Sequence, residues 1–379
     1  MSNEIKRPKR VLVLFGTRPE AIKLCPVIRE LESRPDDFEI RVCVTGQHRE
    51  MLDSVLNVFE VTPNVDLDAM VPGQTLTAST ARILAGLERV MLDFMPELVV
   101  VQGDTTSTFC GALAAFYQRV PVAHVEAGLR TFDLWSPFPE EMNRVVTTRL
   151  SALHFAATER SRGHLLAEGV PEKYVHVTGN TGVDALLFVR DQIVNGDLIP
   201  YKSFEAPPGR RIVLVTMHRR ESFGDGQMKV CRALRKIAAR DDVHMILPVH
   251  PNPSVEAVVH EHLGGQPNIQ LIEPLDYVSF VDLLRTCHFV ITDSGGVQEE
   301  GPSLGKPILV VREKSERPEA IDAGTVQLVG HDEKRIVRQC TRLLDSPSEY
   351  VRRSFVHNPY GDGHSSPRIA DLILSFLGT

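Results

Sequence analysis

The chain has 379 residues, 42% hydrophobic and 24% charged, enough apolar material for two packed cores. A formal net charge of −7 excludes the broad basic face that a nucleic-acid partner would require, while leaving room for a local basic pocket. Cys25, Cys43, Cys110, Cys231, Cys287 and Cys340 lie scattered, mostly in apolar runs, with no CxxC pair, which excludes a disulfide framework or a zinc motif and points to reduced thiols. No apolar run approaches membrane-spanning length, so a cytoplasmic protein is expected.

In chain order, a strand is predicted over 11–15, then a turn through Gly16, Thr17, Arg18, Pro19 and Glu20 into a helix over 21–33. The strand 38–44 follows, then Thr45-Gly46-Gln47-His48 and a helix over 49–59. A helix over about 76–94 leads to a buried strand over 98–101. The polar cluster Gln102–Ser107, a helix to 117 and a strand over 120–125 come next. Strands alternating with helices specify a parallel sheet with right-handed crossovers, and such sheets bind ligands outside the carboxyl ends of their strands. That places Arg18, Lys23, Gln47, His48, Asp104 and Glu126 near one another. Each also has a plainer reading. Arg18 and Glu20 fit around a helix start, and His48 fits on the surface. Asp104 fits as an N-cap, in competition with Thr105, Thr106 and Ser107. Glu126, at the end of a buried strand, would be costly unpaired. Two carboxylates with Arg18 and Lys23 opposite are what a reaction on a phosphorylated substrate needs. The 131–144 segment, with Trp135, Pro137 and Pro139, reads as an ordered rim leading into a helix over 140–149. Glu140 there is either a residue matched to the helix dipole or a third pocket carboxylate, with Asn143 and Arg144 on the same helix.

Residues 175–177 and 179–182 close the first domain, and a polar stretch over 206–210 reads as a linker tail. The second half repeats the layout: a strand over 212–216 into Met217-His218-Arg219-Arg220, a helix to about 240, and a strand over 244–249. Strand 269–272 and helix 277–286 follow, then FVITDSGGVQEEGPSLGKP over 289–307 and a strand over 308–311. Strand, paired glycines and helix start together make an anion site from Ser294, Gly295 and Gly296. Glu299 and Glu300 either cap the dipole or accept hydrogen bonds from ribose hydroxyls. His218 is the histidine favoured for function, whereas His250 and His288 read as structural. The expected organisation is an α/β protein of two Rossmann-like doubly wound domains facing a central cleft: 1–182, and 183–359 as the nucleotide-binding domain. A C-terminal helix within 360–379 crosses back to the first.

The blocks GTRPEAIK (16–23), TGQH (45–48), QGDTTST (102–108), HVEAGLRT (124–131), PFPEEMNR (137–144), HRRESFG (218–224), TDSGGVQEE (292–300) and SERPEA (315–320) resemble, in order, those of the non-hydrolysing UDP-N-acetylglucosamine 2-epimerases. The resemblance spans essentially the whole chain. It implies a GT-B fold, a homodimer, and reversible interconversion of UDP-GlcNAc and UDP-ManNAc for bacterial cell-surface polysaccharide synthesis, with no cofactor and no metal. It places catalytic roles on Asp104, Glu126, Glu140 and His218. Substrate and UDP contacts fall on Arg18, Lys23, His218, Phe280, Ser294, Gly295, Gly296, Glu300 and Arg317. A second UDP-GlcNAc as activator is expected near Gln47, His48 and Gln74. Two positions depart from the family pattern: Leu275 stands where members carry Gln against the uracil, and Gly73 where regulated members carry Arg. Because C2 of an N-acetylhexosamine has no adjacent carbonyl, the chemistry favours elimination of UDP to a 2-acetamidoglucal and its re-addition. A carboxylate or His218 takes the C2 proton, with Asp104 and Glu126 the preferred pair. A GT-B glycosyltransferase, a hydrolysing 2-epimerase and a non-catalytic nucleotide-sugar sensor remain the alternatives.

Overall fold

The computed structural model of the protein describes residues 7–46, 49–71, 73–217, 225–313, 317–354 and 358–378. The chain divides into two compact units, Met1–Ala185 with Gly361–Thr379, and Leu186–Tyr360.

The first unit carries β1 (Lys9–Phe15), α1 (Arg18–Glu32), β2 (Phe38–Val44), α2 (Arg49–Val58), β3 (Val65–Asp66), α3 (Leu76–Phe94), β4 (Leu98–Gln102) and α4 (Thr106–Tyr117). After these come β5 (Val122–Ala127), α5 (Glu140–Leu150), β6 (Leu153–Ala156), α6 (Glu159–Ala167) and β7 (Val175–Val177). Its seven strands are ordered β3-β2-β1-β4-β5-β6-β7, and every pairing is parallel. Val11 to Phe15 of β1 and Leu98 to Val101 of β4 are fully buried. A central parallel strand is covered by helices on both faces, so it reads as an unbroken apolar run. The order reverses between β1 and β4, and the open crevice of a doubly wound sheet lies at that switch point. Residues 179–182 do not end in a break: helix α7 (Thr181–Asn195) continues directly from them.

The second unit repeats the design with β8 (Arg211–Thr216), α8 (Asp225–Ala238), β9 (Val243–Pro248), α9 (Pro253–Leu263), β10 (Ile269–Ile272), α10 (Tyr277–Thr286), β11 (Phe289–Thr292), α11 (Gly295–Glu300) and β12 (Ile308–Val310). Then α12 (Pro318–Ala323), β13 (Val326–Leu328), α13 (Glu333–Asp345) and α14 (Pro347–Ser354) complete it, and α15 (Ser365–Gly378) belongs to the first unit. The strand order β10-β9-β8-β11-β12-β13 is again all parallel, with the switch between β8 and β11. In the first unit, Ser366 N donates to the buried Asp184 Oδ1 at 2.7 Å, tying the start of α15 to α7.

All six cysteines are free and buried. Burial raises the Cys43, Cys110 and Cys287 thiols to about 12 and Cys231 to about 11, so the reactive thiolate is scarce as well as shielded. Ellman's reagent is therefore expected to find almost no thiol in the native protein and six after denaturation. Rapid labelling of the native chain would contradict this packing.

Candidate active site

Three loops after β1, β4 and β5 build the site of the first unit. After β1, Thr17 caps α1 and forms a capping box with Glu20, whose Oε2 accepts from Gly16 N at 3.0 Å and Thr17 N at 2.8 Å. Glu20 Oε1 lies 2.7 Å from Thr105 Oγ1 and 3.1 Å from Thr108 Oγ1, which ties the β1 loop to the β4 loop. Burial raises the Glu20 carboxyl above its usual value, against the pull of these hydrogen bonds. Arg18 opens α1 half-buried, and Lys23 lies further along the same helix.

Glu126 sits where β5 shifts register against β6, and its backbone is left-handed, with φ 63°. A non-glycine residue in that region costs on the order of 1–3 kcal/mol and persists only where its surroundings enforce it. The enforcing contacts are visible. Lys23 Nζ meets Glu126 Oε1 at 2.5 Å, and the buried Gln102 side-chain amide donates to Oε2. Gly103, at φ 72°, leaves room beside that carboxylate: a Cβ there would stand 3.6 Å from Oε2.

Asp104 is not the helix cap. Thr105 takes that place, its hydroxyl accepting from Thr108 N at 3.1 Å. Asp104 is instead gripped from α5: Asn143 Nδ2 donates to its carbonyl at 2.9 Å, and Arg144 Nε donates to its carboxylate at 3.1 Å, with Nη2 a second donor. Arg144 Nη1 also reaches Glu141 Oε2 at 3.0 Å, and both side chains are buried. Glu140 opens α5 half-buried and has no hydrogen-bond or ion-pair partner among the described residues. The structure thus brings Lys23 to Glu126, holds Asp104 on Arg144 at the adjacent strand end, and leaves Glu140 at the start of the helix that supplies Arg144.

His124, one pleat before Glu126, is fully buried, with Nε2 2.7 Å from Gly103 O. Burial lowers it to about 3, so it stays neutral in the fold and donates that hydrogen bond. Since its folded value lies below the unfolded one, its contribution is fully present above about pH 6.5 and lost as pH falls toward 3. Native His124 is expected to cost the protein about 2 kcal/mol between pH 6.5 and 5. Urea titrations at the two pH values should show a smaller loss for His124→Asn; equal losses would contradict the assignment.

In the second unit, β11 ends at Thr292, whose hydroxyl lies 2.6 Å from Thr216 Oγ1 at the end of β8 and accepts from Ser294 N at 2.9 Å. Gly295 and Gly296 begin α11, and a Cβ at Gly296 would meet nothing closer than 4.0 Å, so a ligand can approach this backbone. The two glutamates of α11 divide. Glu299 is buried and ion-paired with Arg317, while its carbonyl accepts from Asn358 Nδ2 at 2.8 Å. Glu300 is half-buried, with Oε1 4.0 Å from where a Cβ at Gly296 would stand. Phe280 lies half-buried on α10, and Leu275 is core. In the first unit Gln74 accepts from Arg82 and donates to Met70 Sδ at 3.2 Å. Gln47, His48 and His218 lie outside the described residues. Among the described residues no group of three His, Cys, Asp or Glu could hold a metal, and no helix is long and apolar enough to cross a membrane.

Sequence reasoning passed over Gln102, Glu141 and, as a partner of Asp104, Arg144. Each had a signal. Gln102 is a polar residue closing an otherwise apolar strand, which demands a partner, and Glu141 with Arg144 has the i, i+3 spacing of a helical ion pair.

Two all-parallel sheet units, each with a switch in strand order, define with these structural neighbours an α/β protein of the GT-B type. The sequence model for UDP-N-acetylglucosamine 2-epimerase matches residues 29–374. The Salmonella typhimurium protein of that name is 53% identical over 372 residues, covering 97% of this chain and 99% of its own. A crystal structure of UDP-GlcNAc 2-epimerase from Neisseria meningitidis bound to UDP-GlcNAc superposes with a TM-score of 0.88 at 44% identity, covering 97% of this chain and 100% of that one. The Methanocaldococcus jannaschii enzyme in complex with UDP-GlcNAc and UDP gives 0.76 at 32% identity, covering 97% and 99%. The chain belongs to the UDP-N-acetylglucosamine 2-epimerase family and is an enzyme of that family, an isomerase.

Proposed function

We propose that the protein interconverts UDP-GlcNAc and UDP-ManNAc by elimination and re-addition of UDP. A base takes the proton from C2, the C–H electron pair becomes the C1–C2 double bond, and the C1–O bond breaks with its electrons leaving on UDP. Returning a proton to C2 from the opposite face and UDP to C1 gives the epimer. Two faces require two proton-handling groups. Asp104 and Glu126 fill these roles, with Glu140 and His218 the further candidates. Arg18, Ser294, Gly295, Gly296 and Arg317 take the diphosphate, where charge develops as C1–O breaks. Lys23 and Phe280 contact the substrate, and Glu300 takes the ribose.

The observation that carries this reading is Glu126, held in a left-handed backbone by Lys23 and Gln102, in a chain 53% identical to a protein of that name. Such strain concentrates at functional sites. A homodimer and an activating second UDP-GlcNAc near Gln47, His48 and Gln74 belong to the same reading. At Gly73 a Cβ would meet nothing within 4 Å, but φ 73° disfavours the arginine of regulated members. The test is incubation with UDP-GlcNAc alone, followed by NMR of the products. UDP-ManNAc supports the reading. Free ManNAc with UDP would replace it by a hydrolysing reaction, and unchanged substrate would remove it.

A further inference from the structure

Helix α5 reaches Asp104 through two adjacent side chains. Asn143 fixes the backbone carbonyl and Arg144 the carboxylate, the latter through Nε and Nη2, which both donate to Oδ2. Arg144 is itself buried, at 5% exposure, and its remaining bond runs to Glu141, at 1%. Glu141 Oε1 accepts from Thr131 N at 3.0 Å and Phe132 N at 2.9 Å, at the base of the loop that carries the exposed Phe132, Leu134, Trp135 and Phe138. A buried carboxylate is thus satisfied by one guanidinium and two loop amides, and the same guanidinium is the cation for Asp104. Burial of both members makes this ion pair costly to break, unlike an exposed one. It is also costly as a purely structural device, because an apolar pair would fill the space without desolvating charges.

We propose that Arg144 and Glu141 are positioning residues for Asp104: Glu141 fixes the guanidinium of Arg144, and Arg144 fixes the orientation of the Asp104 carboxylate. The 131–132 amides are part of the same relay, so the set of the Thr131–Pro139 loop is transmitted to Asp104 through two hydrogen-bonded links. In this proposal Arg144 and Glu141 act through Asp104. The inference rests on the reading of Asp104 as a proton-handling group.

The test is a double-mutant cycle on UDP-GlcNAc epimerisation, with the Kd for UDP and thermal unfolding measured for each variant. Asp104→Asn and Arg144→Met are each expected to lower kcat by about 10²-fold, with KM and the UDP Kd nearly unchanged. Arg144→Lys, which keeps the charge and loses the paired Nε and Nη2 donors, should fall between Arg144→Met and the native enzyme. Glu141→Gln, one link further out, should lower kcat by less than Arg144→Met. The decisive variant is Asp104→Asn with Arg144→Met. If Arg144 acts through Asp104, the double variant is no slower than Asp104→Asn alone. Losses that multiply would overturn the relay, as would native kcat in Arg144→Met while Asp104→Asn is slow. So would loss of UDP binding in step with kcat, the signature of a merely structural role, whereas a lower unfolding temperature by itself is expected from breaking a buried pair. If Asp104→Asn itself keeps native kcat, the reading of Asp104 falls first and the relay with it.

Discussion

Replacing Glu126 by glutamine is expected to lower kcat by about 10²–10⁴-fold, the range that a positioned acid–base group contributes. The substitution is isosteric, but it removes the proton acceptor and sets an amide donor against donors already in place. Glu126 faces Lys23 Nζ on one oxygen and the Gln102 amide on the other. The groups proposed for the diphosphate, Arg18, Ser294, Gly295, Gly296 and Arg317, are untouched, so the Kd for UDP should change little. Steady-state kinetics alongside UDP titration separate the outcomes: a kcat loss at constant UDP affinity fits an acid–base role. Native kcat would remove Glu126 from the chemistry.

Gly128→Val should be the most disruptive single change near the site. Gly128 has φ 87°, and a Cβ there would lie 2.2 Å from the carbonyl oxygen of Ser161 and 3.0 Å from Leu165 Cγ. The left-handed backbone costs about 1–2 kcal/mol for a side chain, and overpacking against α6 about 1–3 kcal/mol more. Together they give a loss of about 2–5 kcal/mol, readable as a shift in the urea midpoint. The clash is with backbone, so no rotamer change relieves it. Gly128 follows Glu126 by two residues, and its close approach to α6 is part of what holds the bulged end of β5. A variant with the native midpoint would contradict that packing.

Much of this architecture is legible in the sequence. The apolar runs 38–44 and 289–292 and the helix 277–286 coincide with β2, β11 and α10, because dense β-branched or amphipathic patterning leaves one reading. The strand expected over 120–125 begins two residues later and runs to Ala127, so Glu126 lies inside β5 at a bulge rather than beyond its end. No periodicity signals a bulge. Strands β3 and β13, of two and three residues, are too short to carry an alternation, and α9 follows a Pro-Asn-Pro run that reads as loop. Helix α1 accommodates Pro26 inside its span and begins at Arg18, since Thr17 and Glu20 box its first turn.

At the site, residue types were readable and partners were not. Asp104 and Thr105 are adjacent rivals for one cap, and only the backbone path gives it to Thr105. Glu140 and Glu141 are likewise indistinguishable as letters. One turn of helix buries Glu141 on Arg144 and leaves Glu140 half-exposed. Glu299 and Glu300 divide in the same way, because a carboxylate that faces inward needs a cation, and Arg317 lies 18 residues away in sequence. Pairing across such separations is set by the sheet order, which places the ends of β1, β4 and β5 side by side.

The most direct test of the whole account is exchange at C2. The protein is incubated with UDP-GlcNAc in heavy water and the sugar protons are followed by NMR over time. Deuterium should appear at C2 of UDP-ManNAc and wash into C2 of the UDP-GlcNAc pool, and both signals should collapse together in Glu126→Gln. Epimerisation that retains the original C2 proton in both sugars would contradict proton removal by a solvent-exchanging group, and with it the roles given to Asp104 and Glu126.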